Sequence, residues 1–323
     1  MMRGVGKGVA SHPSPACGGG PGWGSACATA RDDPAQADRP HLRAVAHSAS
    51  SHRENELLAA NRAIGRVALA VKSAGGITRR ARLHEQGSLR VRCPGAPANE
   101  LEAVIVNTAG GMAGGDRFDV ELAVGCGAQL LATTAAAEKI YRTLGPETMV
   151  GVSLKVAGGA QLSWLPRETI LFNRARLART IEVDLASDAQ LLLLEAMVFG
   201  RSGMGETVEE GRFLERRRIR RDGKLVHAEA VRLDGAIAKR LGRRAVANGG
   251  IAIASLFVVP GDDSVVAAVR ALASQFRGEV GASAWNGFAV VRLVAADGAV
   301  LHHDLLVLLR ALRGPAVPRL WLN

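Results

Sequence analysis

The spacing of its apolar residues constrains this chain more than any other feature. From Ala63 onward they fall into short runs, many of them alternating with polar residues. Examples are Val67–Val71, Phe118–Val124, Val150–Val156, Ala178–Leu185 and Ile251–Val259, with Gly, Asp or Asn between the runs. Runs of roughly four to eight residues with breaks of this kind fit strands, whose successive side chains point to opposite faces, better than helices. Aromatic residues make up 4% of the chain while there are 38 glycines, so the core must come from Val, Leu, Ile and Ala with glycine-marked turns. The segment Arg221-Asp222-Gly223-Lys224 carries a hairpin signal.

Two segments depart from this rhythm. Asp262 to Phe276 opens with an Asp/Ser capping candidate and places Val265, Val266, Val269, Leu272 and Phe276 on one helical face. Leu301 to Leu312 does the same with Leu305, Leu308, Leu309 and Leu312, and stops at Gly314-Pro315. Thr133 to Tyr141 has an alanine run of helical propensity but sits among strands, which leaves its type open. The expected fold is therefore mostly β with an α+β outline. It is a single domain of many antiparallel and mixed strands, in a β-sandwich or helical-like arrangement, with two α-helices in the C-terminal half. Residues 1–60 lack an apolar period and are rich in Gly, Pro, Ser and His, so a disordered extension is expected there, with the folded domain over 61–323. That extension is either genuine or the product of an upstream start codon.

The formal charge is +11, from 41 basic and 30 acidic residues. Residues 1–60 hold six basic and five acidic side chains, so the surplus belongs to the body, where it is scattered except for the cluster Arg216, Arg217, Arg218, Arg220 and Arg221. On a strand that cluster divides between two faces, and a solvated strand face is the expected reading, with partner docking second. A diffuse basic surface suits an acidic protein partner at least as well as a nucleic acid, for which interleaved aromatic stacking residues are lacking. Cys17, Cys27, Cys93 and Cys126 show no CxxC pair and no His at zinc-ligand spacing, so neither a structural zinc site nor a disulfide framework is indicated, and a reducing compartment fits. The N-terminus has no apolar secretory core and no stretch reads as a membrane span, so a cytoplasmic location is expected.

Motifs of nucleophilic, zinc-peptidase and Walker chemistry are absent. The loop Gly110-Gly111-Met112-Ala113-Gly114-Gly115-Asp116 leads into an alternating strand pattern and not into a helix, so the phosphate-cradle argument fails. The carboxylates are more informative. Glu195 lies between Leu191–Leu194 and Met197-Val198-Phe199, where burial is expected, and a buried carboxylate needs a cation, a hydrogen-bond donor or a metal. Asp116, Glu206 and Glu229 are further candidates, with ion pairs to Arg117, Arg201 or Arg232 as the plainer alternative. His302-His303-Asp304 at a helix start could hold a metal, but neighbouring helical histidines diverge by about 100° and seldom share an ion.

Five strings, in order, resemble the urease accessory protein UreD family, called UreH in some lineages. They are Asn107 to Arg117, Thr133 to Arg142, Trp164 to Phe172, Gly200-Arg201 with Met204-Gly205-Glu206, and Gly281 to Gly287 with the closing Pro318-Arg319-Leu320-Trp321. The resemblance implies a non-catalytic scaffold that takes part in urease maturation and binds apo-urease subunits. It also implies docking of UreF and, through UreF, of the GTPase UreG, with no nucleic acid and no membrane, and it leaves open a dimer of the accessory complex. Family members are thought to pass nickel through an internal tunnel. This makes Asp116, Glu138, Glu195, Glu206 and Glu229 candidates for a transient Ni2+ path without any tightly bound cofactor, since weak oxygen ligands release the ion. Arg167 and Glu215-Arg216-Arg217 depart from the family pattern, a change expected to affect only local surface contacts. A basic nucleic-acid-binding β protein and a metal-dependent hydrolase are the alternatives from other classes.

Overall fold

The computed structural model describes residues 62–95 and 98–322, so the extension expected over 1–60 lies outside the described residues. Strands dominate. The first sheet contains β1 (Ile64–Ala74), β2 (Ile77–Gly87), β5 (Arg117–Val124), β8 (Thr148–Val156), β11 (Arg176–Leu185), β13 (Glu210–Arg221) and β14 (Lys224–Ala236). The second contains β3 (Leu89–Arg92), β4 (Glu100–Asn107), β6 (Gln129–Thr134), β9 (Gln161–Leu165), β12 (Gln190–Phe199), β15 (Ala252–Val259), β16 (Glu279–Trp285) and β17 (Phe288–Ala295). Their spatial orders are β14-β13-β11-β8-β5-β1-β2 and β16-β17-β15-β12-β9-β6-β4-β3. Two short strands, β7 (Glu138–Ile140) and β10 (Thr169–Leu171), make a parallel ladder against the end of β12.

The chain passes alternately between the sheets, and the central strands of each are parallel: β1, β5, β8, β11 and β13 in one, β4, β6, β9 and β12 in the other. Successive coils therefore stack in register as a two-sheet solenoid, flanked by antiparallel strands at the ends. Of the two arrangements expected, this is the helical one and not the sandwich. Side-chain alternation has the same period in parallel and antiparallel strands, so the apolar pattern alone did not distinguish them. Stacking aligns like with like, as in the inner row Val67, Val120, Val152 and Ile181 and the next, Leu69, Leu122, Leu154 and Val183. One apolar cluster fills the space between the sheets.

The hairpin turn at Asp222-Gly223 takes positive φ at both residues, 47° and 73°, as a tight turn matched to strand twist requires. Thr133–Tyr141 resolves as the end of β6, a turn, and β7. Three helices follow: α1 (Ile237–Leu241), α2 (Asp263–Ala271) and α3 (Gly298–Leu312). Asp262 caps α2 by accepting from the Ser264 N–H at 2.9 Å, as the sequence suggested. Asp297 caps α3 by accepting from Val300 N–H, so that helix starts three residues before the expected Leu301. The one-turn α1 was not foreseen, being too short for a periodic signal. Leu301, Leu305, Leu308 and Leu309 of α3 and Val269 of α2 join a second apolar cluster on the outer face of the second sheet. This explains Leu191–Leu194: β12 is covered on both faces, with Leu191 and Leu193 in one cluster and Leu192 and Leu194 in the other. No helix among the described residues is long and apolar enough to cross a membrane.

Candidate functional site

The register of the first sheet places charge where an apolar core is otherwise continuous. The stacked positions Gly65, Phe118 and Val150 continue to Arg179 on β11 and Glu215 on β13. The row Val67, Val120, Val152 and Ile181 continues to Arg217, which pairs across to Glu229 on β14. Facing them from the second sheet is Glu195 on β12.

These residues form one chain of ion pairs. Arg179 holds Glu195 at 2.8 Å and Glu215 at 2.5 Å. Arg217 holds Glu215 at 2.6 Å and Glu229 at 3.2 Å, and Arg292 of β17 reaches Glu229 at 2.6 Å. Three carboxylates alternate with three guanidiniums, so the seam is neutral as a unit. It runs from the core, where the Arg217 side chain is 2% exposed, to the surface, where Arg292 is 52% exposed. Trp164 Nε1 donates to Glu195 at 2.8 Å and Arg179 donates to Thr169 Oγ1 at 3.3 Å, which satisfies more of the buried polar atoms. The Arg179 and Arg217 guanidiniums also lie over the rings of Phe213 and Phe257. Burial of this kind is tolerable only because each charge has a partner at contact distance.

The electrostatic environments of the carboxylates differ. Burial pushes the Glu195 carboxyl up, against the lowering effect of Arg179. Burial likewise raises Glu138, which is opposed by the Asn107 amide donating at 3.1 Å. Glu229 moves the other way, to about 2, under His227, Arg292 and Arg217. His227 Nε2 stands 3.7 Å away, beyond hydrogen-bond length, so the two guanidiniums at contact distance are the stronger cause.

Beside the seam lies a cavity of about 70 Å³ between the sheets, walled by Phe118, Ile140 and Leu177 among others, with Glu138, Arg167, Arg179 and Glu195 as charged groups on its lining. A smaller one, about 30 Å³, shares Arg179 and Glu195 with it and is lined also by Glu215 and Arg217. The structure thus brings Glu138 and Glu195 to one cavity and links Glu229 to them through arginines. Asp116 and Glu206 lie elsewhere. The buried Asp116 accepts from the Ala63 and Ala113 N–H groups at 2.9 and 2.7 Å and so braces the glycine loop. Glu206 pairs with Arg201 at 2.6 Å, as the plainer reading expected, and the Arg201 guanidinium sits over Phe172. Among the described residues, no group of three or more His, Cys, Asp or Glu side chains is placed to hold a metal ion. His302 stacks on Trp321, His303 faces the Gln275 carbonyl and Asp304 accepts from Arg277 and Gly278 N–H, so these neighbours do diverge.

Two expectations need correction. Arg217 is not on a solvated strand face, and Glu215 and Arg217 are interior groups and not local surface contacts. Arg167 is also largely buried, donating to the Leu320 carbonyl and stacking over Trp321. Sequence reading missed Arg179 and Arg292 as well. The available signal for Arg179 and Arg217 was that β11 and β13 are as regular as their neighbours yet carry charge on both faces.

The family model described as UreD urease accessory protein matches residues 63–322. The urease accessory protein UreD of Rhodopseudomonas palustris is 55% identical over 269 residues, covering 83% of this chain and 96% of that protein. The Bradyrhizobium diazoefficiens UreD is 52% identical over 269 residues, covering 83% and 97%. The UreD 3 of a Bradyrhizobium species is 51% identical over 268 residues, covering 83% and 96%. With the match running through every described strand, this chain belongs to the UreD family of urease accessory proteins.

Proposed function

We propose that this protein acts in urease maturation as a non-catalytic scaffold in the cytoplasm. In this reading it binds apo-urease, docks UreF and through it UreG, and lets nickel pass through its interior. Family membership supports the link to urease. The nickel reading is carried by one observation, the presence of Glu138 and Glu195 on a single cavity between the sheets. Carboxylate oxygens are hard ligands, and two that do not converge as a closed cage bind a divalent ion weakly enough to release it. Glu229 ends the seam at the surface with both oxygens held by Arg217 and Arg292, and so serves as a brace. Asp116 and Glu206 are braces in this scheme, since backbone N–H groups and Arg201 occupy their oxygens.

The test is Glu138→Gln, which keeps the Asn107 contact region filled and removes the charge. Urease co-produced with the variant should carry several-fold less nickel by mass spectrometry, while the accessory complex co-purifies as before. Unchanged nickel content would overturn the conduit. Loss of the complex itself would make Glu138 structural.

A further inference from the structure

The two cavities described above share two charged lining residues, Arg179 and Glu195, so this ion pair forms part of the wall between them. The geometry points to Arg179 as a gate: it closes the wall while it holds Glu195, and opens it by withdrawing onto Glu215 when a divalent cation takes its place. This rests on the conduit reading and adds to it the residue that controls passage.

The contacts favour motion in one direction. Arg179 meets Glu195 through a single nitrogen at 2.8 Å, whereas Nε at 2.7 Å and a terminal nitrogen at 2.5 Å both engage Glu215. Releasing Glu195 therefore leaves the guanidinium with two nitrogens on one oxygen of Glu215, Oε2, while Arg217 holds the other oxygen in place. Glu195 is meanwhile fixed by the Trp164 indole N–H and does not follow. A cation entering the first cavity meets Glu138 and Glu195 as negative groups, while Arg167 on the same lining is paired to Glu168. A doubly charged ion compensates the carboxylate that the arginine leaves, which a singly charged ion does less well, so the exchange discriminates by charge. Beyond the wall, Arg217 lines the second cavity, and its Nε is buried with no acceptor among the protein atoms. That donor marks a polar interior on the far side. Two internal guanidiniums also keep Glu195 and Glu215 from becoming a trap, because a buried carboxylate without its counterion would retain the metal.

Equilibrium dialysis of the full chain, in the complex in which it is isolated, against Ni2+ alone tests the gate. Arg179→Gln should raise Ni2+ retention at least about tenfold, since Glu195 loses its counterion, and Arg179→Lys should retain an intermediate amount, above wild type and below Arg179→Gln. If Arg179→Gln does not fold, Arg179→Lys alone carries the test. It keeps the charge but lacks the two-point hold on Glu215, so it should retain more Ni2+ than wild type. The double variant Arg179→Gln/Glu195→Gln should fall back to the wild-type level. Unchanged retention in folded Arg179→Gln, or in Arg179→Lys where only that variant folds, overturns the gate. This outcome is distinct from failure of the conduit, which shows instead as normal urease nickel content in Glu138→Gln.

Discussion

Arg217 occupies an inward position that the preceding strands fill with Val or Ile, and it stays ionised there because Glu215 and Glu229 flank it. Replacing it with Met would leave the seam one guanidinium short, with the buried Glu215 held by Arg179 alone, at a cost of about 3–5 kcal/mol in urea unfolding. A second residue-scale prediction concerns pH. The folded Glu229 carboxyl titrates at about 2, below the ~4.3 of an unfolded Glu. Its contribution is therefore full above roughly pH 4.3 and is lost as the pH falls toward 2. Glu229→Gln should lower the melting temperature at pH 7 and lower it much less at pH 3. Glu138 has the opposite sign: burial raises its carboxyl, so its charge costs stability at neutral pH and the cost disappears on acidification. Glu138→Gln should melt no lower than wild type at pH 7, which separates its proposed role in nickel passage from any role in folding. A clear fall in melting temperature at that pH would contradict this.

At the scale of elements, α3 and the C-terminal segment are fastened to the second sheet by a few directed contacts. Trp321 is fully buried, lies parallel to His302 with ring centroids 5.6 Å apart, and donates from Nε1 to the Leu165 carbonyl at 3.1 Å. Trp321→Ala should cost about 3–5 kcal/mol in unfolding experiments. Because Leu165 and Arg167 flank Pro166 on the cavity wall, the same variant should loosen that wall, seen as faster amide exchange in β9. Asp304 ties the helix to the entry of β16 by accepting from the Arg277 and Gly278 N–H groups at 2.9 and 2.8 Å. Asp304→Ala leaves two donors unmatched, and a loss of about 1–3 kcal/mol is expected by thermal denaturation.

For the whole molecule, parallel coiling sets the position of the seam. The first three strands of the stack keep an apolar inner face, and charge enters only at the fourth and fifth, beside the antiparallel hairpin β13–β14. Three of the arginines behind the +11 charge are neutralised within this seam, so they offer nothing to a polyanion. Nucleic-acid binding measured by filter retention should accordingly be weak and vanish between about 50 and 200 mM salt, as non-specific attraction does. Binding that persists at the higher salt would revive the nucleic-acid reading.

Local chemistry wrote much of this protein into its sequence. Strand-length apolar runs, Asp-Gly at a hairpin, Asp262 as a cap and the leucines of α3 each act over a few residues, so they could be read in order along the chain. The expected burial of Glu195 followed from its apolar neighbours in the same way. The direction of neighbouring strands, the inward aim of Arg179, Glu215 and Arg217, and the meeting of Glu138 with Glu195 were decided only by the tertiary structure. An alternating strand of charges looks the same whether its inner face meets water or a partner brought from another coil. Which of these holds depends on residues such as Glu195 and Arg292, which lie far from Arg179 and Glu229 in sequence and are joined to them only by coiling.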